Sequence, residues 1–138
     1  FRNDRLLDEM LTNTYDNAII PAQLETNPYV TLLVDDELNC VGADFSKHGE
    51  THKRGFHDQS IFGFNTELMY DALQHLHNAL WKNGQYMTPG GELSLLHTFH
   101  YLHNTGSPAK VYETDNLTKT FNTYEELVKI QCDPGTQI

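Results

Sequence analysis

The chain has 138 residues, 38% apolar and 20% charged, with seven Phe, seven Tyr and one Trp. That is one domain of ordinary size, over 1–138, with enough apolar material to bury a single core without a metal or a disulfide. The formal net charge of −10 disfavours direct contact with a nucleic-acid backbone or an anionic membrane; it is compatible with a basic protein partner and also serves solubility.

The longest strongly apolar stretch, Tyr29 to Val34, falls far short of the roughly 20 residues of a spanning helix, and no secretory apolar region is visible. The chain opens on Phe1 rather than Met, as a processed product or a fragment would, and the sequence assigns no compartment.

In chain order, an N-terminal helix is expected first. Asn3 or Asp4 caps it, and Leu6, Leu7, Met10, Leu11 and Thr14 recur at helical spacing up to about Asn17. Ile19 to Asn27 reads as a loop around Pro21. Tyr29 to Val34 and Leu38 to Ala43 read as a β-hairpin turning at Asp35, Asp36 and Glu37. The segment from Asp44 to Phe64 shows no period, contains or borders on four glycines, and reads as one long loop.

A helix follows from Thr66 to Lys82, capped by Asn65 or Thr66 and striped by Met69, Ala72, Leu73, Leu76 and Leu80. Asn83 and Gly84 stop it. Thr88 and Pro89 restart a helix whose regular part begins near Glu92 and runs to Asn104. Lys110 to Thr114 and Leu117 to Phe121 read as a second hairpin about Asp115 and Asn116. The last helix starts at Thr123, with Glu126 completing a capping box, and stops at Asp133, Pro134 and Gly135.

The expected fold is α+β in the order α-ββ-α-α-ββ-α. Two β-hairpins form a small, mainly antiparallel sheet packed against about four helices, with the 66–82 and 92–104 helices as an antiparallel pair over it. The order is formally two copies of one unit, and Phe-Asn-Thr opens a helix at 64–66 and again at 121–123. Three matching residues do not make a duplication.

Eight histidines are the enriched functional residues. His48, His52 and His57 share the 44–64 segment with Glu50, Asp58, Lys47, Lys53 and Arg54. If the chain is an enzyme, His52 and His57 are the acid–base candidates, Asp58 or Glu50 orients a histidine, and Lys53 and Arg54 hold an anion. His48 and His52 stand four apart, as in zinc proteases, but the glutamate is displaced and the glycines oppose a rigid helix.

His75 and His77 point about 200° apart on a helix and cannot share an ion. Of His97, His100 and His103, only neighbouring pairs come within reach of one ion. No metal site is expected. Nor is a cofactor, since no nucleophile elbow, phosphate loop or dinucleotide fingerprint is present. Cys40 and Cys132 have neither zinc nor redox spacing, and either a disulfide or two thiols fits.

Two functions follow. The first is an acidic protein-binding module, of inhibitor, immunity or assembly type, docking on a protein partner. The second is a small hydrolase or phosphate-handling enzyme built on the 44–64 segment.

Overall fold

The computed structural model describes residues 8, 10, 18–26, 28–45, 54–114 and 123–132. Of the expected N-terminal helix it describes Asp8 and Met10, both helical. The expected return strand at 117–121 lies outside the described residues.

The expected architecture is corrected. In place of a small sheet under about four helices, the described residues form one six-stranded sheet, a separate two-stranded hairpin and three α-helices. Segments read as loops hold strands. Ala18–Thr26 is β1, and Arg54–Asp58 is β4. The expected hairpin is present as β2, Thr31–Val34, and β3, Asn39–Asp44. The Asp35 carboxylate holds its turn, accepting from the Glu37 and Asn39 backbone N–H groups, each at 2.9 Å.

β1 organises the sheet. Its side chains alternate: Ile20 and Ala22 are buried on one face, while Gln23 and Glu25 lie on the other, the period-two pattern of a strand. β1 pairs antiparallel with β4 and parallel with β8, Ala109–Glu113. β2 pairs with β3 and β4, and β3 pairs with β8. Because β4 bonds to both β2 and β1, the strand order closes on itself. β8 joins strands far back in the chain, β1 and β3.

β5, Gly63–Phe64, continues along the side of β1 that β4 occupies. Ala22 faces Asp58 and Ile19 faces Gly63, so residues 20 and 21 of β1 lie against 59–62. This is a bulge, and Pro21 explains its place. Gln59 donates its N–H to the Pro21 carbonyl at 2.9 Å, but proline has no N–H to return, so the ladder breaks there.

The core gathers Ile20, Ala22, Leu32, Cys40, Ala109 and Val111 from the sheet against four helical residues. Met69 and Ala72 come from α1, Thr66–Leu80; Phe99 and Leu102 come from α2, Thr98–Asn104. Leu73 and Leu96 pack on its edge, so the two helices share one apolar surface as their stripes require. A second, smaller cluster of Met10, Ile19, Ile61 and Tyr112 covers the opposite face of β1.

α1 is capped by Asn65, whose Oδ1 accepts from the Leu68 N–H at 3.0 Å. It ends two residues early, because Trp81–Lys82 (β6) and Gln85–Tyr86 (β7) form a hairpin. Asn83 and Gly84 have φ of 53° and 79°, as a type I′ turn requires, rather than merely terminating a helix. The second helix begins later than expected: Leu95–His97 is a 3-10 turn and α2 starts at Thr98. α3, Tyr124–Cys132, carries the expected capping box, Thr123 and Glu126 each accepting from the other's backbone N–H at 3.2 Å. No helix among the described residues is long and apolar enough to cross a membrane.

Candidate functional site

The closing pair β1–β4 sets a polar row on the face away from α1 and α2. Gln23 stands opposite His57, and Glu25 stands opposite Gly55. With Gly55 offering no side chain, Glu25 reaches diagonally to His57, and His57 Nδ1 donates to Glu25 Oε2 at 3.0 Å. The other carboxylate oxygen accepts from Gln23 Nε2. Both oxygens of Glu25 are thus engaged, and the bond to Nδ1 fixes the imidazole's orientation, leaving Nε2 as its outward nitrogen.

The electrostatics follow. The hydrogen bond to Glu25 raises the His57 pKa above its ordinary 6.5, although burial opposes it; the charges of Glu25 and Asp58 add to the rise. The same bond lowers the Glu25 pKa below 4.5, against desolvation and with help from Gln23. A half-buried, carboxylate-oriented histidine can relay a proton near neutral pH.

Several buried polar residues share this face. Leu32 pairs with Phe56, which brings buried Thr31 beside His57. The Thr31 methyl lies 2.5 Å from where a Cβ on Gly55 would stand, so that position admits only glycine without a shift. Thr114 donates its N–H to the Ala22 carbonyl at 2.8 Å, next to Gln23. Gln59, two residues after His57, is 4% exposed, and neither its Nε2 nor its Oε1 has a hydrogen-bond partner among the described residues.

Three of the sequence candidates are among the described residues. Arg54, His57 and Asp58 lie on β4; His48, Glu50, His52, Lys47 and Lys53 lie outside the described residues. Arg54 is exposed, and its alternation along β4 turns it to the side opposite His57. Asp58 Oδ1 accepts from the Ser60 N–H at 2.8 Å. The partner of His57 is Glu25, which was read as part of a loop. The signal that marks it is the alternation of Ile20, Ala22 and Leu24 with Gln23 and Glu25.

The other histidines serve the helices. His97 Nδ1 accepts from the Ser94 N–H at 2.9 Å, and the ring stacks on Phe45. His100 Nδ1 donates to the Val41 carbonyl at 3.1 Å, and His75 stacks on Tyr101. No group of three or more metal-ligating side chains gathers among the described residues. Cys40 and Cys132 are free thiols, and burial pushes the Cys40 pKa up to about 11, which keeps it protonated and unreactive.

A second cluster sits at the α1 hairpin. His77 Nδ1 bonds the Tyr86 hydroxyl at 2.9 Å, and the Trp81 and Tyr86 rings meet edge to face at 4.8 Å. Trp81 nevertheless stays 44% exposed, and neighbouring Met87 is 55% exposed.

No protein-family model matches the chain, and neither does any curated protein.

Proposed function

We propose that the chain is an acidic protein-binding module that docks on a protein partner, with the α1 hairpin as its contact element. The observation that carries this reading is the exposure of Trp81 and Met87 on a hairpin held rigid by the type I′ turn and by the His77–Tyr86 bond. Tryptophan and tyrosine supply large contact area with few rotatable bonds, and they dominate binding hot spots. The charge of −10 favours a basic partner, which it would attract at long range. The test is affinity capture from the source cells with wild-type chain and Trp81→Ala, at low and high salt. One partner held by wild type, weakened by salt and lost in the variant supports docking; equal capture by both removes the hairpin from the interface.

A second reading, a small hydrolase or phosphate-handling enzyme, is favoured by the Glu25–His57 pair. In it His57 moves the proton and Glu25 orients the ring, a part first assigned to Asp58 or Glu50. Turnover of p-nitrophenyl esters or phosphates that vanishes in His57→Ala and falls in Glu25→Gln supports it. Turnover unchanged in both variants dismisses it.

A further inference from the structure

We propose that the α1 hairpin receives an arginine side chain of the basic partner, its guanidinium stacked on the exposed Trp81 indole. The inference rests on the docking reading and names the group that docks. On a helix of 3.6 residues per turn, positions seven and eleven after Tyr70 return to within about 20° of it. They are His77 and Trp81, the residue that closes α1, so the three share one side of the helix over about 16 Å. Tyr70 is 67% exposed and Trp81 44%. The far end of this row is acidic: Glu67, exposed in the first turn of α1, neighbours Tyr70 at helical spacing.

Trp81 is held in place before any partner arrives. Its ring meets Tyr86 edge to face at 4.8 Å and lies nearly parallel to His77 at 5.9 Å, and the His77–Tyr86 bond ties these two neighbours together. A ring fixed in advance loses little rotamer freedom on contact. The negative face of an aromatic ring attracts a cation, and tryptophan attracts one best. Arginine suits the site better than lysine, because its planar guanidinium lies flat on a ring and is more weakly hydrated than an ammonium. A further cation in the same partner segment meets Tyr70 and Glu67. The chain's own Lys82 does not take the place: alternation in β6 turns it to the opposite face of the hairpin from Trp81. The charge of −10 draws a cationic segment to this surface and repels an anionic one.

The experiment titrates the full chain, labelled with ¹⁵N, with a tetra-arginine peptide and with its tetra-citrulline counterpart, which keeps nearly the same shape and carries no side-chain charge. Trp81 is the chain's one tryptophan, so a single indole N–H resonance reports on it. A saturable indole shift with the arginine peptide, absent with the citrulline peptide, is expected. Trp81→Leu should weaken binding of the arginine peptide about two- to fivefold. An indole that does not move with the arginine peptide, equal shifts with both peptides, or unchanged affinity in Trp81→Leu overturns the proposal. Should Trp81→Leu fail to fold, the comparison of the two peptides on wild type decides by itself. Equal shifts end only the arginine contact, since apolar docking through the hairpin survives them; partner capture that persists in Trp81→Ala ends the docking reading.

Discussion

At the scale of single residues, the Glu25–His57 pair ties two strands together through opposite pKa shifts. His57 has its folded pKa raised, so its contribution is complete below 6.5 and is lost as pH climbs through the raised value. Glu25 has its folded pKa lowered, so its contribution is complete above 4.5 and is lost as pH falls through the lowered value. Both act fully between pH 4.5 and 6.5. In urea melts, wild type is expected to exceed Glu25→Gln by most within that window, with the gap narrowing on either side. An NMR titration of the variant should find the His57 pKa moved back down toward 6.5; an unmoved value would mean that Glu25 does not set it. Gly55 makes a separate demand. A methyl there meets the buried Thr31 side chain at 2.5 Å, so Gly55→Ala should cost about 1–3 kcal/mol by overpacking, read as a lower urea midpoint.

Among the elements, the α1 hairpin is the most exposed to a small change. Gly84 holds φ of 79° with nothing within 4 Å of an added Cβ, so substitution there is a conformational test free of clashes. Gly84→Ala should weaken the hairpin by about 1 kcal/mol. Trp81 is the chain's one tryptophan, and its fluorescence should therefore report the loosening while the far-ultraviolet helix signal stays. At α3, Thr123→Ala removes a capping-box oxygen and should lower stability by about 1 kcal/mol, with reduced helix signal. α1, α3 and the β2–β3 hairpin were legible because their signals are local: Asn65 before an apolar stripe, Thr123 three residues before Glu126, a polar turn between two apolar runs. β1 and β4 were not. Pro21 and the polar Gln23, Glu25 and Thr26 disguise a strand buried on both faces, and Gly55 reads as loop until Thr31 is seen against it. The partner of His57 was hidden for the same reason. His57 was named from sequence, but its carboxylate lies 32 positions earlier, and only the strand pairing brings the two together.

For the whole molecule, the decisive feature is a sheet whose strand order closes through contacts distant in sequence. β8 bonds to β1 and β3, and β4 bonds to β1 and β2, so no strand of the ring is finished by its chain neighbours alone. α2 sits over this arrangement with Phe99 and Leu102 buried among residues of β1, β2, β3 and β8. A local hairpin would melt by itself, whereas closed non-local pairing makes each strand depend on the others and on the helix that covers them. Leu102 is fully buried, and Leu102→Ala should therefore cost about 2–5 kcal/mol, the range for a large core side chain whose cavity collapses only in part. The loss should be shared by the ring. Hydrogen exchange of the β1, β3, β4 and β8 amides is expected to speed up by a common factor in the variant, as in a single cooperative transition. Acceleration confined to α2 and β3 would show instead that the helix detaches from a sheet that stands without it.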